Sequence, residues 1–410
     1  MVKSISEKDT NLSNKFMGKK MRDVSIIGVG ETKFGTLGES LRELIAEAGN
    51  KALKDSGIDR KEIESLYFGN YCGDRFVKQG HSSSLAALAT GLKYIPTIRT
   101  ETACSSSSGA FKEAVLGVAS GAYDIVMVLG AEKMTDVDTF EATDILAMAG
   151  DREFEGVQGL TFPGMFALMA QVYSKKYGIK MEDFRKQLSS VAVKNHRNGY
   201  HNPFAHMRKI ITLEEAMDSR MVAYPLNLFD CSLISDGAAA AILCPSDIAT
   251  DYSEDPVDVI GFGHSTDILP LHLREDLSRS RATTIASEKA YKMAGIGPGD
   301  IDFTEVHDCF TINELISLEG LGFFDNGKAG EASLNEKTTV DGSIPVNPSG
   351  GLKSKGHPVG ATGVGQIVES VMQLRGVVEK ERRVEDAEVC LVHNIGGSAV
   401  TCFVHILRRR

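Results

Sequence analysis

Four short segments carry the residues able to do covalent chemistry. In "ETACSSSSGAF", Cys104 is followed by four serines and Gly109 where a helix reads as beginning. A thiol at a helix N-terminus sees the positive end of the dipole, which lowers its pKa and favours the nucleophilic thiolate. The competing reading is a small buried core cysteine. In "NPSGGLKSKGHPVGATG", His357 sits among glycines and prolines just before another helix. Such a turn could fix an imidazole that deprotonates a thiol, although a lone loop histidine often has no chemical role. "VHDCF" (306–310) follows a strand ending near Val306, so His307, Asp308 and Cys309 fall at a strand C-terminus, where α/β folds build sites. His-Asp-Cys could ligate a metal, but no second ligand pair stands at zinc spacing, and no metal is expected. "HNIGGSAV" (393–400) again reads as following a strand; the N–H groups of Gly396 and Gly397 could serve an oxyanion, or the pair could be a tight turn.

The elements that must position these residues come in two similar sets. A strand from Val24 to Val29 precedes a helix with Leu41, Leu44, Ile45, Ala48 and Ala52 at amphipathic spacing, ended by Gly57. Late in the chain Val259-Ile260-Gly261-Phe262-Gly263 echoes Ile26-Ile27-Gly28-Val29-Gly30. "AYKMAGIGPGDIDFTEVHD" likewise echoes "ALKDSGIDRKEIESLYFGN". The Cys104 segment leads into a helix with Phe111, Ala114, Val115 and Val118 on one face and then an apolar run, Ile125 to Leu129. The His357 segment leads into a helix with Val364, Ile367, Val368 and Val371 and then Val389 to Val392. "SDGAAAAILC" and "GGSAVTCFVHIL" close the two sets. An order-preserving repeat of this kind implies two related α/β halves. If a pseudo-twofold axis relates them, the turns bearing Cys104 and His357 face each other at the junction. The boundaries expected are an N-terminal extension over 1–22, a first half over 23–131 and 225–255, a loop-domain insertion over 132–224, and a second half over 256–410.

Composition narrows the class. With 410 residues there is material for two domains sharing a core. A net charge of −10 and the lack of an extended basic stretch argue against nucleic-acid binding. The seven cysteines show no CxxC spacing, and their number is odd, so a reducing, cytoplasmic setting fits better than a disulfide framework. The first 20 residues are polar and lack the apolar stretch of a secretory signal, and no apolar run long enough to span a membrane occurs.

Taken together, the Cys104 segment, "VHDCF", "GHPVGATG" and the terminal "NIGG" resemble the thiolase family, closest to its sterol-carrier-protein-type and archaeal branches, from about Val24 to the C-terminus. The β-ketoacyl synthases share the fold and the cysteine but usually show other histidine motifs. The resemblance implies a thiolase-like fold, an α/β/α/β/α core of two pseudo-twofold-related βαβ-rich halves. It further implies that Cys104 accepts the acyl group and that His357 activates it and helps hold the thioester oxygen. His307 stands where many thiolases carry an asparagine that orients a water in the first oxyanion hole; the backbone N–H groups of Cys104 and Gly396 would form the second. Many thiolases place a second catalytic cysteine where this chain has Asn394, and Cys309 is the natural substitute as acid and base. The activity implied is acetyl-CoA C-acetyltransferase, joining two acetyl-CoA to acetoacetyl-CoA without a metal or redox cofactor. The alternatives are thiolysis of longer 3-ketoacyl-CoA and a catalytically silent CoA-binding scaffold. Implied partners are acetyl-CoA and CoA, a second or further copies in a homodimer or homotetramer, HMG-CoA synthase of the mevalonate route, and a small OB-fold and zinc-ribbon protein. The polar stretch Val193 to His206 is a candidate to meet the CoA nucleotide, or else a solvated loop.

Overall fold

A computed structural model describes residues 21–410; residues 1–20, most of the expected N-terminal extension, lie outside the described residues. Nine strands form one mixed sheet: β1 (Val24–Glu31), β2 (Ser65–Gly69), β3 (Thr97–Thr100), β4 (Val126–Glu132), β5 (Gly237–Pro245), β6 (Val257–Thr266), β7 (Phe303–Glu305), β8 (Val389–Gly396) and β9 (Thr401–Arg409). Their order across the sheet is β3-β2-β4-β5-β1-β6-β9-β8-β7. The repeat is visible in the pairing. In the first half β1 and β4 flank β5 antiparallel and β2 runs parallel to β4. In the second, β6 and β8 flank β9 antiparallel and β7 runs parallel to β8. The halves meet where β1 pairs antiparallel with β6, Ser25 opposite Asp258.

Local chemistry explains why the sequence echoes itself. Helix Leu41–Ser56 opens on a Ser40–Glu43 capping box and stops at Gly57, φ 67°. Its counterpart, Arg281–Ala294, opens on Ser280, whose hydroxyl accepts from the Thr283 N–H, and stops at Gly295, φ 71°. The paired glycines are demanded by the left-handed turn that ends each helix. Both helices cover outer faces of the sheet, packing on β1 and β6. Helices Ser106–Ala119 and Thr362–Leu374 form the middle layer, where Phe111, Ala114, Val115 and Val118 meet Val364, Ile367, Val368 and Val371. The pair is stitched at its N-termini, where the Val364 N–H donates to Ser107 Oγ at 3.1 Å. This is the layered α/β architecture expected of the repeat.

Between β4 and β5 lie four helices, Thr139–Ala147, Phe162–Lys176, Met181–His201 and Leu213–Met217, and a short ribbon formed by Met221–Ala223 and Leu226–Asn227. One expectation about local structure needs correcting. The "HNIGG" segment does not follow a strand: His393 to Gly396 are the last residues of β8, paired through to Thr401 of β9. Its side chains therefore alternate across the sheet, which fixes Asn394 in place. No helix among the described residues is long and apolar enough to cross a membrane.

Candidate active site

Cys104 lies on a tight turn between β3 and helix Ser106–Ala119, behind a non-glycine residue, Ala103, in the left-handed region at φ 53°. The turn is held by the Ala103 N–H donating to Glu101 Oε1 at 2.6 Å and by the Ser106 hydroxyl donating to the Ala103 carbonyl. A residue bent into this region costs about 1–3 kcal/mol and is a common device for presenting a reactive side chain. The thiol is not the acidic one that the helix start suggested. Burial pushes it up to about 12, and Glu132 and Glu101 push in the same direction, against a backbone N–H from Gly397. Desolvation outweighs the helix end here, so the resting group is a thiol that needs a base.

His357 is that base by position. The reactive atoms of Cys104, His307 and His357 all lie within 4.8 Å of one another, and the two rings meet edge to face at 4.9 Å. His357 Nδ1 is 2.7 Å from Thr362 Oγ1, whose hydroxyl proton goes to the Pro358 carbonyl at 2.9 Å. Thr362 must therefore accept from Nδ1–H, which leaves the Nε2 lone pair of His357 for the thiol. Burial lowers the ring's pKa to about 3, so it is neutral at physiological pH.

His307 is fully buried, and burial together with His357 and His393 keeps it neutral. Its Nδ1 lies 2.8 Å from Asn394 Nδ2, and the Asn394 Oδ1 accepts from the Ser108 hydroxyl at 2.9 Å. Among the described residues its Nε2 has no hydrogen-bond partner. Cys309 lines the same cavity as Cys104, and burial, Cys104 and Asp308 hold its thiol well above the ordinary range.

The "VHDCF" loop is clamped from both sides. Asp308 accepts from the backbone N–H groups of Leu352 and Lys353, in the turn leading to His357, at 2.6 and 3.2 Å. Asn195 donates to Asp308 at 2.7 Å and to Glu314 at 2.9 Å, and Lys194 pairs with Glu314 at 2.9 Å. Asn198 and Asn202 donate to the carbonyls of Asn347 and Ser349. This revises both readings of Val193 to His206. Lys194, Asn195, Asn198 and Asn202 are buried and hold the catalytic loops from behind, His196 is buried against the Lys209 carbonyl and Phe229, and Arg197 and Tyr200 face outward. The inward periodicity is that of helix Met181–His201, which the polarity of the stretch had disguised.

The cavity above Cys104, about 180 Å³, is lined by Cys309, His357, Gly397 and apolar side chains that include Met134, Leu146, Phe162, Ile234 and Val359. Backbone N–H groups of Gly397 and of Cys104 itself favour the Cys104 thiolate, so the glycine pair named from the sequence stands beside the sulfur. Gly396 and Gly397 also line an adjoining cleft, and the turn packs so closely that a Cβ on Gly396 would fall 2.1 Å from the Thr102 carbonyl oxygen.

Residues 24–247 match the family model for the thiolase N-terminal domain, and residues 263–409 match that for the thiolase C-terminal domain-like family. The chain belongs to the thiolase family. It is 48% identical to an acetyl-CoA acetyltransferase of Methanothermobacter thermautotrophicus, over 95% of this thiolase and 100% of that protein. It is 46% identical to one of Methanocaldococcus jannaschii, over 94% and 99%. Among solved structures, the Ltp2-ChsH2(DUF35) aldolase superposes with a TM-score of 0.82 at 25% identity, covering 95% of this chain and 98% of that one. This thiolase is an acyltransferase, and Ser108, Thr362 and Asn195 join the site that its motifs marked.

Proposed function

We propose that this thiolase is an acetyl-CoA C-acetyltransferase that condenses two acetyl-CoA to acetoacetyl-CoA and CoA. The reading is carried by the meeting of Cys104, Cys309 and His357 at one cavity, with His307 within 4.8 Å of Cys104 and His357, in a chain similar over 94–95% of its length to acetyl-CoA acetyltransferases. In the first step the Cys104 sulfur attacks the thioester carbonyl while His357 Nε2 takes the thiol proton. The C–S bond to CoA breaks, and the leaving thiolate takes its proton from Cys309. On this reading His307 serves one oxygen that gains negative charge, and the backbone N–H groups of Cys104 and the Gly396-Gly397 turn serve the other. In the second step the Cys309 thiolate, a strong base because its environment disfavours the anion, removes a proton from the methyl of a second acetyl-CoA. The enolate attacks acetyl-Cys104, and the departing sulfur recovers its proton from His357. Each group ends as it began, with no redox or metal cofactor called for.

Condensation of two thioesters runs uphill, so a consuming enzyme would draw it forward. Through the sequence resemblance, we assign that role to HMG-CoA synthase in the mevalonate route, with a small OB-fold and zinc-ribbon protein as bridge, in a cytoplasmic homodimer or homotetramer. The Ltp2-ChsH2(DUF35) aldolase is, by its name, a two-component relative of the same fold. The apolar lining of the cavity, Met134, Leu146, Phe162 and Ile234, favours one second reading, thiolysis of longer 3-ketoacyl-CoA. A chain-length series from acetoacetyl-CoA upward, with free CoA, decides between them. The highest kcat/KM at acetoacetyl-CoA supports the proposal; a maximum at longer chains supports the second reading. No turnover with any chain length would leave only the scaffold.

A further inference from the structure

We propose that Asn394 is a positioning residue that sets the proton on His307, so that His307 presents Nε2–H, a donor, to the substrate oxygen. The inference rests on the thiolase reading of the site and adds the group that gives His307 its polarity. A neutral imidazole carries one N–H, and the neighbour of one nitrogen decides which. His307 is buried and neutral, with His357 and His393 depressing its protonation. Among the described residues the side-chain partner of its Nδ1 is Asn394, at 2.8 Å through Nδ2. An amide nitrogen only donates, so Nδ1 must be the acceptor and Nε2 must hold the hydrogen.

The amide is oriented from its other end. Ser108 Oγ donates to Asn394 Oδ1 at 2.9 Å, and Ser108 belongs to the helix that begins beside the nucleophile. The relay Ser108–Asn394–His307 thus runs from the Cys104 helix through β8 to the "VHDCF" loop. Its free end is the fully buried His307 Nε2, unpartnered among the described residues; a ring nitrogen of His307 lies within 4.8 Å of the Cys104 sulfur and a ring nitrogen of His357, and with Nδ1 taken by Asn394 it is Nε2 that is left to face them. The two histidines become complementary. His357, with Nδ1–H committed to Thr362, offers a lone pair; His307, with Nδ1 occupied by Asn394, offers a proton. Turning the Asn394 amide over would give two lone pairs facing one thiol and no side-chain donor for an oxyanion.

The test is read first on the resting enzyme, without substrate, so failure of the acetyl-CoA reading leaves it decidable. Long-range proton–nitrogen NMR of 15N-histidine-labelled protein, with His307 assigned by its loss in His307→Asn, should show the hydrogen on Nε2. Asn394→Asp offers Nδ1 only an acceptor and should move the hydrogen to Nδ1; Nε2 is then protonated only in the imidazolium. The groups facing that ring are His357 from the turn before Thr362–Leu374, His393 from β8 and Cys104. Turnover of Asn394→Asp should gain an acid-dependent limb absent from the wild type. It should fall about tenfold per pH unit above the ring's pKa, until roughly 10²–10³-fold in kcat is lost, the usual cost of one oxyanion donor. Should that variant fail to fold, Ser108→Ala frees the amide to turn and should split His307 between two tautomers with a smaller loss of kcat. Nδ1–H in the wild type, or an unchanged Nε2–H tautomer in the variants together with a wild-type pH profile, would overturn the proposal.

Discussion

At the scale of single residues, the site works with groups held far from their solution acidity. Cys104 is pushed up to about 12 and His357 down to about 3, both by burial. The thiol therefore loses its proton as the sulfur attacks, rather than resting as a thiolate. Alkylation of Cys104 by iodoacetamide should rise about tenfold per pH unit from pH 7 to 9.5, following the thiolate fraction of a high-pKa group. A plateau below pH 8 would instead mark a resting thiolate. Acylation of Cys104 should show no acid limb near 6.5, because a histidine with a depressed pKa stays neutral as pH falls through that value. Cys309→Ala should still exchange acetyl between Cys104 and CoA but lose condensation by at least about 10²-fold, the scale of a general acid–base group. Comparing thioester exchange with acetoacetyl-CoA formation checks this. Cys104, His307, Cys309 and His357 stood out in the sequence as chemistry-bearing residues in glycine- or strand-bounded segments, and their roles came from the resemblance of those segments to the thiolase family. The acidity of Cys104 was misread because the helix end was weighed without the desolvation that burial brings.

At the scale of elements, the catalytic loops are held by side chains distant in sequence. Asn195 bridges Asp308 and Glu314, and Asp308 ties "VHDCF" to the turn before His357. Asn195→Ala removes hydrogen bonds to two carboxyl groups and should cost about 2–3 kcal/mol, the range for bonds to charged partners. The loss should appear as a lower thermal midpoint together with reduced kcat, because the loop it releases carries His307 and Cys309. Asn195→Asp should be worse than Asn195→Ala, since it sets a third carboxyl against two. None of this was readable from the stretch 193–206. Its polarity suggested solvent or a nucleotide, and only the helix that turns those residues inward reveals their partners. The capped helices were readable, because Ser40, Gly57, Ser280 and Gly295 act on their immediate neighbours.

At the scale of the whole molecule, two related halves enclose a charged interior that no local pattern announces. Lys355, two residues before His357, pairs with Glu31 of β1 at 2.9 Å and Glu369 at 3.8 Å; Arg382 pairs with Glu369 as well. Glu305 completes the group, and burial with Glu369 nearby pushes its carboxyl up, so that it keeps its proton near neutrality. Lys355 and Arg382 then face Glu31 and Glu369, with Glu379 also on Arg382 at 2.6 Å, and the cluster joins the first half to the loop of the second. Lys355→Met leaves Glu31 buried without its partner and should cost about 3–5 kcal/mol, the usual loss on breaking a buried pair. Adding Glu31→Gln should restore part of that loss in a thermal melt; two additive losses would contradict the pairing. The repeat made the facing of the two catalytic turns deducible, and Ser107 bonded to Val364 is its physical expression.

The measurement that bears most directly on the proposed chemistry is peptide mass spectrometry of the enzyme quenched after mixing with acetoacetyl-CoA and CoA. Acetyl is expected on the peptide bearing Cys104, formed as acetoacetyl-CoA is consumed and absent from Cys104→Ala along with turnover. Turnover with acetyl on another residue, or undiminished in Cys104→Ala, would contradict the assignment of Cys104 as the nucleophile.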